Sequence, residues 1–263
     1  MNATPLKLAS QIWYLALADL QRRYVGTRLG FLWALVQPTV QFAVFWFVSV
    51  YGLKMGDAKD GTPFFAVLFC GLLPWTTLSG AIHGAAGALR KNRHLLFERA
   101  TPTFALIMSS ALAAAIMHIP LVAIVAFIFV LAGIKITWAW LAILYYMICL
   151  VGLCLAMGAL VAPLAVYSTD IAQFINTALI LWFWCSPIIW SPSLFPPAFL
   201  PYLQLNPVFY IVEGHRGALL HNDPFPASLS YDLLFWATTG AIFAVGLWLL
   251  RLSEPRLREW LQR

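Results

Sequence analysis

The chain has 263 residues, of which 62% are hydrophobic, 15% are aromatic and only 10% are charged. A water-soluble domain does not need so much apolar surface, so the composition excludes an ordinary soluble enzyme and favours a membrane protein. The net charge of +6 comes mainly from basic clusters beside apolar runs. This arrangement is typical of membrane topology signals rather than of nucleic-acid binding.

Residues 1–30 are expected to form a cytoplasmic amphipathic helix that lies on the membrane. One apolar face with helical spacing is formed by Leu6, Ala9, Trp13, Ala16 and Leu20. Such a helix fits the lipid headgroup layer, with Trp13 at the interface. Its end carries three arginines, Arg22, Arg23 and Arg28, which we expect at the depth of the lipid phosphates.

Six apolar runs follow, and each is long enough for one membrane span, which takes about 20 residues as a helix. The predicted spans are residues 31–53, 64–89, 103–134, 136–169, 171–190 and 233–250. Helices are expected because hydrocarbon offers the backbone no hydrogen-bond partner and no run alternates like a strand. The sequence therefore predicts an all-α integral membrane protein with six transmembrane helices in a domain over residues 31–252.

The distribution of Lys and Arg predicts that both termini are cytoplasmic. Twelve of the 16 Lys and Arg residues lie on the side of the termini, including those of the basic tail, residues 253–263. This asymmetry follows the positive-inside rule. The protein is thus expected to cross its membrane several times.

Residues 90–102 form the substantial cytoplasmic loop, where basic side chains surround Leu95, Leu96 and Phe97. A short helix with an apolar centre and charged flanks suits docking into a groove of a soluble subunit. A solvated positive-inside loop would explain the charges but not the exposed apolar residues.

The apolar run after Asp170 is long enough for two crossings, but six prolines crowd its second half. Proline removes a backbone donor and clashes with the preceding helical turn, which disfavours a second continuous helix. We therefore expect the fifth span to end near residue 190 and an external re-entrant segment to cover residues 191–212. The alternative, a seventh span, would place the basic tail on the disfavoured face.

The sequence indicates that any transport is powered by a partner. The predicted spans contain no acidic residue, which disfavours a carrier driven by protons or sodium. A GxxxxGK[ST] phosphate loop is also missing. His83, His118 and the four cysteines are interpreted as packing residues, and the Glu213–Arg216 segment as an anchor for its loop.

Three stretches resemble one family. The stretch "RRYVGTRLGFLWALVQP" (22–38) is similar to the RxxxxxxLGxLWxxxxP pattern at the first span of type-2 ABC transporter permeases that export bacterial capsule, O-antigen and related polysaccharides. The stretch "NRHLLFERATPTFAL" (92–106) resembles the coupling region of that family. The stretch "CSPIIWSPSLFPPAFLPYLQLNPVFYIVEGHR" (185–216) resembles its fifth span, re-entrant segment and Asn-Pro turn.

The resemblance implies a half-transporter without a cofactor of its own. Two copies would form the pathway, two ATPase subunits would bind ATP and Mg²⁺, and periplasmic or outer-membrane export components could join them. It assigns the gate and interface helix to Leu6–Arg28 and the re-entrant elements to 191–209. The implied coupling residues are Arg90, Asn92, Arg93, Leu96, Phe97, Glu98 and Arg99.

Substrate contacts are expected at two places. Arginine binds phosphate bidentately, so Arg22, Arg23 or Arg28 is expected to receive the phosphate-bearing headgroup of a lipid-linked polysaccharide. Sugar rings can stack on aromatic faces, and the candidate path residues are Phe42, Trp46, Trp182 and Trp184. Ordinary lipid-facing aromatics are the alternative interpretation.

The cargo is left open at this point. O-antigen relatives often carry an Arg-Asp pair before the fifth span, whereas this chain has Ser168, Thr169 and Asp170; similarity elsewhere favours capsule export. The alternatives are O-antigen or teichoic-acid-type export, and type-2 export of a drug or lipid. A membrane acyl- or glycosyltransferase would need a cluster of His or acidic residues that the sequence does not offer.

Overall fold

The computed structural model describes residues 5–24, 28, 30–57, 61–97, 101–192, 195–225, 228–257 and 259. In these ranges the chain is helical and contains no strand. The helices are α1 (Pro5–Tyr24), α2 (Trp33–Phe47), α3 (Phe64–Lys91), α4 (Arg93–Phe97), α5 (Thr103–Leu131), α6 (Ile143–Tyr167), α7 (Thr169–Cys185), α8 (Leu200–Gln204), α9 (Pro207–Leu220) and α10 (Leu229–Ser253). Short 3₁₀ or π turns extend α2 at both ends and α6 at its start.

Five helical segments among the described residues are long and apolar enough to cross a membrane. They are Trp33–Gly52, Phe64–Lys91, Thr103–Leu131, Trp138–Tyr167 and Leu229–Ser253. They correspond to the predicted spans one to four and six. The prediction of an all-α integral membrane protein is confirmed.

The predicted fifth span corresponds to α7, which is shorter than expected. The helix has 17 residues and is about 25 Å long. The prediction placed its end near residue 190, but the helix ends at Cys185 and Ser186 is extended (φ −103°, ψ 147°). The physical reason is local, because Pro187 sterically disfavours the helical conformation of the residue before it.

Helix α3 lies at the centre of the bundle and packs on α5, α6 and α9. Small side chains allow the closest approach: a Cβ built on Gly158 of α6 would lie 3.4 Å from the Cβ of Ala85 and 3.5 Å from that of Ala111. Such contacts replace the hydrophobic effect as the source of helix association within a membrane. The result is a tight α3–α5–α6 core.

Helix α1 packs lengthwise on α5. Ala16 and Leu20 are buried against Ala113 and Met117 of α5, whereas Trp13 is exposed. The expected helix is therefore present, and part of its apolar face is used for contact with the bundle.

Helix α9 is not the alternative seventh span. It has 14 residues, about 21 Å, and is buried against α3 and α6. The chain reaches it through the buried residues Ser186 and Ile188 and the short helix α8. The segment that we predicted to be re-entrant thus continues as a buried helix past residue 212 to Leu220.

Candidate functional site

The first candidate region lies where α1, the last turn of α3 and the start of α5 meet, which we call the α1 end. Lys91 Nζ lies 2.5 Å from the carboxylate of Asp19. One residue later, Asn92 Oδ1 accepts a hydrogen bond from Arg22 Nη1 at 3.2 Å. These contacts join the predicted arginine cluster to the predicted coupling region, two segments that the sequence suggested independently.

A cavity of about 210 Å³ opens between these helices. Its polar lining comes from Asp19, Arg22, His83, Lys91, Asn92, Ser109 and Ser110. Two cations and one carboxylate leave this lining with one net positive charge. Guanidinium, ammonium and amide donors in one cavity are suited to an anionic oxygen ligand such as a phosphate ester.

The other arginines of the cluster are less defined. Arg28 is exposed. The side chain of Arg23 and residues 25–27 lie outside the described residues. Arg22 is the member that the structure places at the cavity.

The coupling region is only partly the apolar surface that we expected. Leu96 of α4 is buried in a cluster with Leu89 and Leu106, whereas Phe97 is exposed. Arg93 is exposed, and Arg90 Nη2 donates to the carbonyl of Val166 at 3.2 Å. Glu98 and Arg99 lie outside the described residues. Arg93, His94 and Phe97 are therefore the exposed side chains that α4 offers to a partner among the described residues.

The opposite end of the bundle, which we call the α9 end, is anchored by Arg216. This residue is 3% exposed, and its guanidinium donates to the carbonyls of Val67 at 3.3 Å and Ile188 at 3.1 Å. It also pairs with Glu213 at 2.7 Å. These bonds make the Glu213–Arg216 segment an anchor, but it anchors helix α9 and not the loop that the sequence suggested.

Asn206 links the start of helix α9 to the end of α7. Its Oδ1 accepts from its own helix at Val208 N (3.0 Å) and from Trp182 Nε1 (2.9 Å). Its Nδ2 donates to Ser186 Oγ at 2.9 Å. Helix α9 is therefore capped by a side chain that also binds the end of α7.

The four predicted path aromatics lie in two places. Phe42 and Trp46 of α2 line a cavity with residues of α3 and α5. Trp182 and Trp184 lie on α7, where Trp182 donates to Asn206 and Trp184 is exposed. Their contact with a glycan stays a prediction.

Sequence reasoning missed Asp19 and Lys91 as a pair. Asp19 is the single acidic residue in the sequence of α1, and an acid in a cationic segment is a signal that it has a specific partner. The partner itself lies 72 residues away, and no local pattern identifies it.

The family described as "ABC-2 type transporter" matches residues 10–220 of this chain. The chain belongs to this family. The match begins within α1 and ends at Leu220, the last residue of α9. Both regions described above therefore lie inside the part that the ABC-2 family shares.

The chain is also similar to individual curated proteins, and each alignment covers most of both chains. The chain is 27% identical over 235 residues to an O-antigen export system permease protein of Myxococcus xanthus (84% of this chain, 86% of the relative). It is 20% identical over 244 residues to a protein of the same description from Klebsiella pneumoniae (92% and 91%). It is 24% identical over 254 residues to a polysialic acid transport protein of Escherichia coli (92% and 93%).

Proposed function

We propose that the chain is the permease half of an ABC exporter that moves a lipid-linked polysaccharide across the bacterial inner membrane. The observation that carries the proposal is the agreement among its relatives. O-antigen and polysialic acid are both polysaccharides, and the matches to both kinds of protein extend over at least 84% of this chain. The cationic cavity at the α1 end fits a substrate with a phosphate-bearing anchor.

The proposed complex contains two copies of this chain and two copies of a separate ATPase subunit, which binds ATP and Mg²⁺. In this arrangement both termini are cytoplasmic, and α4 presents Phe97 and Arg93 to the ATPase. Envelope components on the outer side would receive the polymer. The positive charge at the α1 end supports this orientation.

Movement of the ATPase has a physical route to the substrate cavity. A shift of α4 displaces the end of α3, to which it is joined at Asn92. Lys91 and Asn92 then pull on α1 through Asp19 and Arg22. The cavity lies between these helices, so its width depends on their separation.

Capsule export is the narrower form of the proposal. The relatives of this chain include both an O-antigen export permease and a polysialic acid transport protein. Arg22, Arg23 and Arg28 are proposed to bind the headgroup, and Phe42, Trp46, Trp182 and Trp184 to line the path. Export of a drug or lipid is the alternative cargo within the family.

The decisive experiment is deletion of the gene in its native cell, followed by mass spectrometry of glycolipids in the inner membrane. We expect loss of surface polysaccharide and retention of a lipid-linked polymer. A phospholipid-type anchor would indicate capsule export, and an isoprenoid diphosphate would indicate O-antigen export. Normal surface polysaccharide without retained polymer would contradict the proposal.

The headgroup site is tested in the same cells by complementation with Arg22→Gln/Arg23→Gln/Arg28→Gln. Export should fall at least tenfold while the membrane level of the permease and its assembly with the ATPase stay normal. Arg251→Gln, which changes an exposed arginine of α10, is the matched control. Full export by the triple variant would exclude these arginines as the headgroup site.

A further inference from the structure

A second cavity, of about 320 Å³, lies between α2, α3 and α5. Phe42, Ala43 and Trp46 of α2 face Phe69 of α3 and Leu121 and Val125 of α5 across it. We call this space the α2 cleft. It is distinct from the cationic cavity, which is lined by α1 and by the other halves of α3 and α5.

The α2 cleft offers almost no polar group. Thr39 supplies the hydroxyl of the lining, and this hydroxyl already donates to the carbonyl of Leu35 at 2.7 Å. A buried water needs two to four polar partners, and an apolar cavity of about 150 Å³ stays dry and takes up apolar molecules. Sugar hydroxyls would lose their hydrogen bonds inside the cleft, so a glycan on the proposed path past Phe42 and Trp46 is expected to stay outside it.

The position of the α2 cleft determines what can enter. Thr39, Ala43 and Trp46 are exposed, whereas Phe69, Leu121 and Val125 are buried, so the opening is on the α2 side. All three helices are candidate membrane spans, so the opening lies at the depth of the lipid acyl chains. The lining of α5 extends from Leu121 to Ile128, a rise of about 10 Å.

We propose that the α2 cleft binds one acyl chain of a bilayer phospholipid. A chain already in the bilayer pays no dehydration cost, and it restores the dispersion contacts that an empty cleft would lose. The lining follows α5 for about two turns, from Leu121 to Ile128, which suits a chain that runs parallel to this helix. The chain becomes a packing element between α2 and the α3–α5 pair. This proposal does not depend on the exported cargo.

The test uses the purified full-length protein in vesicles that contain phosphatidylethanolamine with a diazirine at the end of one acyl chain. After irradiation, mass spectrometry locates the lipid adducts. We expect adducts on Phe69, Leu121 or Val125, which are at most 8% exposed and are reached through the cleft. The exposed Val245 and Trp248 of α10 report general contact with lipid.

Ala43→Trp should fill the opening and lower the adducts on the three buried residues at least fivefold, with labelling of α10 unchanged. Val44→Trp is the matched control, because Val44 is exposed and does not line the cleft. If Ala43→Trp does not yield folded protein, Ala43→Leu provides the same comparison.

Two results would overturn the proposal. One is labelling of Val245 and Trp248 without adducts on the buried lining, or buried adducts that Ala43→Trp leaves unchanged. The other is occupation of the cleft by a second copy of the chain. In that case the buried lining stays unlabelled and Ala43→Trp changes the oligomeric mass measured by light scattering.

Discussion

Gly71 has no side chain at the point where α3 meets the segment after α7. A Cβ built at this position would lie 2.5 Å from the carbonyl oxygen of Ile188. That oxygen also accepts a hydrogen bond from Arg216. The missing methyl group therefore allows the backbone of the re-entrant segment to reach both α3 and the buried guanidinium.

Gly71→Ala should push the Ile188 backbone away from α3 and weaken its bond to Arg216. Because a buried charge then loses a partner, we expect a loss of about 2 kcal/mol in stability. The measurement is thermal unfolding in detergent. Gly80→Ala in the same helix is the control, since its Cβ would meet nothing within 4 Å. Equal melting temperatures for the two variants would contradict this role of Gly71.

His215 is a buried imidazole with a fixed tautomer in its neutral form. Its Nδ1 donates to the carbonyl of Ile211 at 2.7 Å, which leaves Nε2 as an acceptor that has no partner among the described residues. The rings of His118 and Tyr146 lie 5.7 Å and 6.1 Å away. Burial lowers the pKa of His215 from 6.5 to about 4.

Acid should therefore destabilise the protein through His215. Below pH 6.5 the unfolded chain binds a proton that the folded state excludes, so stability falls with pH down to the folded pKa. The expected loss between pH 7 and pH 5 is about 2 kcal/mol. His215→Gln should flatten this pH dependence of the melting temperature, whereas His94→Gln, at an exposed position, should not. Parallel pH profiles for all three proteins would rule out the His215 contribution.

At the scale of the helices, polar contacts hold α1 against α3. Asp19 and Lys91 form an ion pair whose acid is more buried than its base, and Arg22 adds a hydrogen bond to Asn92. Exposed pairs contribute about 1 kcal/mol or less. The pair therefore positions α1 without locking it, which suits the proposed movement of α1 during transport.

Lys91→Glu should loosen α1, because a carboxylate would then face Asp19. Hydrogen exchange measured by mass spectrometry should rise in the α1 peptides. The double variant Asp19→Lys/Lys91→Glu restores opposite charges and should return exchange toward the original level. Arg93→Glu, two residues away and exposed, is the control. Unchanged exchange in Lys91→Glu would show that the pair does not hold α1.

At the element level, composition predicted most of the fold. Long uncharged runs must become helices in hydrocarbon, and five of the six predicted spans coincide with long apolar helices. Pro187 was a local indication that α7 ends before it, but the span prediction did not use it. Helix α9 was harder, because its burial depends on contacts such as that of Arg216 with Val67, 149 residues away.

The candidate site was less predictable for the same reason. Arg22 and Asn92 were both identified from local motifs, but their contact spans 70 residues. Leu96 and Phe97 carry the same apolar signal in sequence, and tertiary packing buries one and exposes the other. Phe42 was predicted to stack on sugar rings, yet the cavity that it lines is almost entirely apolar. Local patterns identify side chains, whereas partners depend on the complete fold.

For the whole molecule, the proposed orientation places the loop after α9 outside the cell membrane and the C-terminal end inside. In a Cys185→Ser background, since Cys185 is the exposed cysteine of the four, Asp223→Cys should react with an impermeant maleimide in intact spheroplasts. Arg256→Cys should react only after permeabilisation. Both replaced residues are exposed. The reverse labelling pattern would invert the topology.

The short α7 has a consequence for the surrounding membrane. A bilayer core is about 30 Å thick, so a helix of about 25 Å leaves a hydrophobic mismatch of about 5 Å. Beyond Cys185, the buried backbone of Ser186–Ile188 takes over from the helix, and irregular backbone is tolerated at membrane depth only where protein or water covers it. We therefore expect the bilayer next to α7 to thin locally to meet its end. A polymer that takes the proposed path past Trp182 and Trp184 would therefore cross a thinner barrier than the bilayer elsewhere presents.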